Sequence, residues 1–111
     1  ADDRVYVSDQ GNHRIQVFDH SGMFLRLIGG RGTEPGQFNG PSGLAIDSDG
    51  RLFVADSGNR RIQIFTAAGH VLTTITGGAQ APLDRPVDVA VSARRLYVSD
   101  AGRHTVQRFR R

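Results

Sequence analysis

Three aspartates stand at matching places in this chain, and the residues around them are the ones whose types and spacing could do chemistry. Asp9 precedes Arg14 by five residues, Asp56 precedes Arg61 by the same distance, and Asp100 is followed at that spacing by Thr105. A carboxylate facing a guanidinium across a turn makes a charge-assisted pair that fixes the turn, so Asp9 with Arg14 and Asp56 with Arg61 read as structural hairpin pairs. Asp100 has lost that partner, so either its turn is looser or it pairs elsewhere. The three aspartates would hold a metal only by converging, and equivalent positions on successive repeats stand apart, so no metal site is expected. His13, His20, His70 and His104 fall in or beside turns. The chain has no His-x-x-x-His zinc spacing, no phosphate loop and no Gly-x-Ser-x-Gly elbow. No catalytic residue and no cofactor are expected, and the reading leans away from an enzyme.

All 14 basic residues are arginine, against 11 acidic ones, for a net charge of +3. Guanidinium groups match carboxylates and phosphates, which makes an acidic protein or a nucleic acid a suitable partner class; scattered solvated charge explains the same numbers. The absence of cysteine removes disulfides, thiolate catalysis and sulfur-ligated zinc, and leaves the compartment open. No apolar run approaches the roughly 20 residues that span a bilayer, so no membrane partner is expected.

Positioning elements follow from self-similarity. Val5-Tyr6-Val7-Ser8-Asp9, Leu52-Phe53-Val54-Ala55-Asp56 and Leu96-Tyr97-Val98-Ser99-Asp100 are offset by 47 and then 44 residues. Each is followed by a second apolar strand, at 14–18, 61–65 and 105–109, across a four-residue turn whose second place is glycine, where a tight turn calls for positive φ. Outer strands are expected at 23–28 and 71–75, and inner strands at 41–47 and 86–91. With strands named a to d from the inside outwards, the chain reads b-c-d, a-b-c-d, a-b-c. This is an all-β chain of four-stranded antiparallel blades, since a twisted blade has two apolar faces that only neighbouring blades cover. The expected units are a partial blade at 1–30, a full blade at 36–78 and a partial blade at 84–111, within one domain. The in-register aromatics Tyr6, Phe18, Phe53, Phe65, Tyr97 and Phe109 are expected in the blade core.

The runs 41–47 and 50–65 closely resemble the consensus of the NHL-repeat β-propeller family, and Gly36-Gln37-Phe38 is similar to that family's blade-opening segment. The third copy departs from the pattern: Arg103 stands where Asn12 and Asn59 stand, and Thr105 replaces arginine. The resemblance implies a six-bladed propeller, of which this chain supplies about two and a half blades. The remaining blades would come from a longer chain, from a second copy closing a two-fold ring, or from another protein.

Alternation puts the b-to-c turns and d-to-a connections on one face, which collects Arg31, Arg60, Arg61, Arg85 and Arg103 with His13 and His104, against Glu34, Asp84 and Asp88. This is the candidate binding face. The resemblance makes a non-enzymatic protein-binding scaffold the leading expectation, with RNA binding through the arginine face as the alternative. Part of a six-bladed propeller lyase or hydrolase is the second alternative.

Overall fold

The computed structural model describes residues 3–78 and 81–111. Its strands are β1 (Val5–Asp9), β2 (Arg14–Phe18), β3 (Phe24–Ile28), β4 (Pro41–Ile46), β5 (Leu52–Asp56), β6 (Arg61–Phe65), β7 (Val71–Ile75), β8 (Gly77–Gly78), β9 (Ala81–Pro82), β10 (Pro86–Val91), β11 (Arg95–Asp100) and β12 (Thr105–Arg110). They form antiparallel sheets ordered β1-β2-β3, β4-β5-β6-β7 and β10-β11-β12, together with a two-stranded ladder of β8 and β9. The chain is thus all-β and builds propeller blades in the strand order b-c-d, a-b-c-d, a-b-c. The β8–β9 ladder was not foreseen: it pairs glycines with Ala81 and Pro82, residues that carry no strand signal.

Strand alternation divides the core in two. Leu52 and Val54 of β5 pack with Ile15, Val17, Ile28, Phe38 and Phe65 between the first and second sheets. Phe53 and Ala55, on the opposite face of the same strand, pack with Ile62, Leu83, Val89, Leu96 and Val98 between the second and third. Every residue of β5 is buried in consequence. Burying each large aliphatic or aromatic side chain contributes about 1.5–3 kcal/mol, so the middle sheet is stabilised from both sides and its neighbours from one. On the uncovered faces Val5 is 50% exposed, Val7 42% and Val106 68%. Among the aromatics expected in the core, Phe53 and Phe65 are buried, whereas Tyr97 is exposed because it lies on the far face of the third sheet. Phe38 is fully buried at the first junction, with its ring centroid 5.7 Å from that of Phe65.

The hairpin turns differ from expectation in one respect. Gln10–Asn12 and Ser57–Asn59 form single 3-10 turns, and the positive φ falls on the residue after them, His13 (54°) and Arg60 (58°), with His104 (55°) at the third hairpin. That conformation costs a non-glycine residue roughly 1–2 kcal/mol. The preceding glycine answers a different need. A Cβ at Gly58 would stand 2.5 Å from Asn39 Cγ and 2.7 Å from its carbonyl oxygen, and one at Gly102 would stand 2.1 Å from Asp84 Oδ2. In the second and third blades the opening segment runs across its own hairpin turn, and glycine leaves room for it.

Neighbouring blades are also joined near their inner strands. Ser8 Oγ donates to the Ser42 carbonyl at 2.6 Å, Ser42 Oγ donates to the Val87 carbonyl at 2.8 Å, and Ser57 Oγ donates to the Pro86 carbonyl. β4 and β10 approach closely at Gly43, where a Cβ would lie 2.5 Å from Asp88 Cα and 2.8 Å from the Val87 oxygen. In the third sheet the position that matches Gly43 is Asp88.

Candidate functional site

At one end of the sheets, the three hairpin turns share a polar arrangement best seen in the second. The register of β5 and β6 pairs Asp56 with Arg61, and the fully buried Asp56 carboxylate collects four donors. Asn39 N–H reaches Oδ1 at 2.8 Å, while Arg61 Nε (2.8 Å), Asn59 Nδ2 (3.0 Å) and Gln63 Nε2 (3.0 Å) reach Oδ2. The same side chains extend to the opening segment. Arg61 donates to the carbonyls of Thr33, Glu34 and Gln37, Asn59 donates to that of Gly32, and Gln63 donates to that of Gln37 while accepting from Gly36 N–H. Four side chains on one hairpin therefore clasp the segment that leads into their own blade's inner strand. Opposite charge is held where little water competes, and every buried polar group involved has a partner.

In the third hairpin the clasp is made with different residues. Asp100, with threonine at the arginine place, is nevertheless buried, and it accepts from the backbone N–H groups of Asp84, Arg85 and Gly102. Burial pushes its carboxyl up, but the backbone hydrogen bonds from Asp84, Arg85, Arg103 and Gly102 outweigh this and hold it below the usual aspartate value. Arg103 Nε donates to the Pro82 carbonyl at 2.6 Å and Gln107 Nε2 to that of Ala81 at 3.0 Å, in the roles of Asn59 and Gln63.

In the first hairpin Arg14 Nε lies 2.8 Å from Asp9 Oδ2, joined by Gln16 Nε2 at 3.1 Å and by Asn12. The hydrogen bond from Arg14, working against some desolvation, lowers the Asp9 carboxyl together with Asn12 and Gln16. The glutamines Gln16, Gln63 and Gln107 were missed in the sequence reading, although each follows its aspartate by seven residues. That repeat was the available signal.

The candidate binding residues do not form one patch. Arg61 is 11% exposed and committed to Asp56 and three carbonyls, so its guanidinium is not free to hold a ligand. His13 Nδ1 accepts from Gly40 N–H at 2.9 Å, which ties the first turn to the second blade's opening segment. Arg31, Arg85 and His104 are exposed, and the Arg85 backbone N–H serves Asp100. Arg60 and Arg103 do come together, across a cleft of about 490 Å³ lined by Asn59, Pro82, Leu83, Asp84 and Gly102 as well. Arg60 is 71% exposed and its Nε stands 3.9 Å from Asp84 Oδ1, a weak surface pairing.

The opposite face holds a cluster of cations that the sequence reading passed over. The register pairs Arg95 with Arg110, and Arg94, Arg95, Arg110 and Arg111 line a cleft of about 510 Å³. Arg111 is anchored there by Asp47, by the Ser92 carbonyl at 2.7 Å and by the ring of Phe53 at 5.2 Å. Among the described residues no three histidine, cysteine, aspartate or glutamate side chains gather to hold a metal ion, and no helix is long and apolar enough to cross a membrane.

Comparison with known proteins agrees with this architecture. Over 41 residues the chain is 46% identical to RING finger protein nhl-1 of Caenorhabditis elegans, a stretch that is 37% of this chain and 4% of that protein. Among solved structures, a protein of unknown function from Bacteroides thetaiotaomicron superposes with a TM-score of 0.78 at 16% identity, covering 96% of this chain and 32% of its own. A streptogramin B lyase superposes with a TM-score of 0.67 at 15% identity, covering 96% of this chain and 36% of the lyase. The chain spans about a third of the length of these structures, and at such identities they establish the fold alone. The model of the NHL repeat matches residues 1–18, 38–65 and 83–109, the segments that carry the aspartate-centred hairpins. The chain belongs to the NHL-repeat family.

Proposed function

We propose that this chain serves as a non-enzymatic propeller scaffold that engages a protein partner through its hairpin-turn face, within a ring to which further blades contribute. Its three units, 1–30, 36–78 and 84–111, act as consecutive blades of that ring. The observation that carries the reading is the cleft between the second and third turns. There Arg60 and Arg103 flank Asp84 beside the exposed Pro82, on turns held in place by the buried carboxylates of Asp56 and Asp100. Two guanidinium groups carried on fixed turns suit a partner loop that presents a carboxylate.

A photo-crosslinking residue at position 60, compared with one at position 94 on the opposite face, tests this reading. Crosslinks to protein from position 60 that disappear in Arg103→Glu support it. Crosslinks to RNA, with binding that falls steeply between about 50 and 200 mM salt, would replace it with the nucleic-acid alternative.

The uncovered apolar faces favour a second reading of how the ring is completed. Val5 and Val7 lie on one side of the chain, with Tyr97 and Val106 on the other, and a second copy would bring unlike faces together twice around a two-fold axis. Light scattering across a concentration series should then show a stable dimer; a monomer at all concentrations leaves completion to other blades.

A further inference from the structure

At the end of the sheets opposite the hairpins, the second and third blades place different charges on the same framework. In the second blade the turn from β4 to β5 is closed by Asp47, whose N–H donates to the Arg51 carbonyl and whose Oδ1 accepts from the N–H groups of Asp49 and Arg51, both at 2.9 Å. The Arg51 guanidinium stands 3.8 Å from the carboxylates of Asp47 and Asp49. The residues that follow β6 are the neutral Thr66 and Ala67.

In the third blade Ser92 takes the place of Asp47. Its N–H donates to the Arg95 carbonyl and its Oγ accepts from Arg95 N–H at 3.1 Å, so a neutral hydroxyl closes this turn. Arg94 stands at the tip, where the second turn has Asp49 and Gly50. Leu96 pairs with Phe109 as Leu52 pairs with Phe65, which sets Arg110 and Arg111 in the places of Thr66 and Ala67. Four guanidinium groups thus replace two carboxylates and one guanidinium.

Arg111 is neutralised by Asp47 of the second blade and held further by the Ser92 carbonyl and the Phe53 ring. Among the described residues, the guanidinium groups of Arg94 and Arg110 meet no acceptor, and that of Arg95 reaches only the Arg94 carbonyl, at 3.3 Å. Arg95 and Arg110 stand directly opposite each other in the ladder, where like charges repel. All four side chains line the cleft of about 510 Å³, a size common to small-ligand sites.

We propose that this cleft binds a compact phosphoanion, a group that carries two or more negative charges on oxygens which several guanidinium groups reach at once. Guanidinium forks pair with phosphate oxygens two at a time. A lone carboxylate supplies one charge for three unpaired cations, whereas a phosphate ester dianion or a pyrophosphate offsets most of them in one binding event. Arg111, already fixed by Asp47 and Phe53, loses little freedom on binding. The four groups converge on one cleft instead of tracking along a groove, which favours a compact anion over a nucleic-acid backbone. The site lies on the face away from the turn cleft and stands whichever partner that cleft engages.

Isothermal titration of the whole chain with sodium pyrophosphate, at a constant ionic strength of about 0.15 M, tests the proposal. One saturable site is expected, weakened tenfold or more by Arg94→Gln and by Arg110→Gln. Binding should be unchanged in Arg31→Gln, which removes equal charge from the hairpin-turn face. Arg94 and Arg110 are exposed, so circular dichroism should show both variants folded. Arg110→Gln also relieves the repulsion with Arg95, so its urea midpoint should be no lower than the parent's. Pyrophosphate should raise the parent's midpoint and leave that of Arg110→Gln in place. Absence of saturable binding up to about 10 mM pyrophosphate, an equal loss in Arg31→Gln, or full competition by acetate at the same concentration overturns the proposal. So does an RNA oligonucleotide whose affinity grows with its length and which pyrophosphate fails to displace.

Discussion

The first and second hairpins offer a controlled comparison, because the same four residues surround Asp9 and Asp56 in different surroundings. Asp56→Ala removes a carboxylate that is fully buried and accepts four hydrogen bonds. It leaves the Arg61 guanidinium, 11% exposed, without its counter-charge, and the Asn39 N–H and the buried Gln63 amide each lose an acceptor. Removing one member of such a buried pair costs about 3–5 kcal/mol, a large share of the roughly 5–15 kcal/mol that holds a domain together. With a urea dependence of about 1–3 kcal/mol per molar, the unfolding midpoint should fall by about 2 M. Asp9→Ala removes the same group where Asp9 and Arg14 are 21% and 36% exposed and water replaces the lost partners, so the midpoint should move by a small fraction of that shift. Urea titration followed by circular dichroism reads both. If Asp56→Ala does not fold, Asp56→Asn against Asp9→Asn keeps the comparison, with the same order of losses. Equal shifts at the two positions, or a larger one at Asp9, would refute the claim that the opening segment makes the clasp strong.

Other consequences can be measured on the same chain. The carboxyls of Asp9, Asp19, Asp47 and Asp100 are all held below the ordinary 3.8 in the folded state, so the stability they confer is complete above that value and is lost as pH falls through their depressed folded values. Ellipticity should therefore hold from neutrality down to about pH 4 and collapse below it; a loss centred near pH 6.5, the histidine range, would contradict this assignment. Gly58→Ala should cost about 1–3 kcal/mol by overpacking against Asn39, while Gly11→Ala should leave the unfolding midpoint within experimental scatter. Gly43→Ala should cost a similar 1–3 kcal/mol by forcing β4 from β10, with a rise in apolar dye binding as the second junction opens.

How much of this was legible in the sequence depended on the range of the interaction. Strand order was legible because alternation and a three-fold repeat are local signals, and the five-residue spacing of Asp9 and Arg14 announced a turn that both residues flank. The partners of Asp100 were not, because they are backbone amides of Asp84 and Arg85, delivered by a connection whose path no side-chain pattern records. A glycine in a tight turn points to positive φ, yet that conformation belongs to His13, Arg60 and His104, while Gly58 and Gly102 make room for the opening segment. Its spacing suits Arg61 both to the hairpin pair and to the binding face, and only the carbonyls of Thr33, Glu34 and Gln37 decide between them. The arginines at 94, 95, 110 and 111 became one cluster only when the β11–β12 register was known.

The contact at Gly43 gives the stack a direction. β10 nestles against β4 because the earlier strand has no side chain there. Asp88 fills the matching place and its Oδ1 turns back toward Gly43, so a sheet laid on the third blade at the same spacing would meet a Cβ where β10 meets none. The close approach of the second junction therefore has no exact continuation. Any sheet that follows the third blade must therefore stand further from it here than β10 stands from β4.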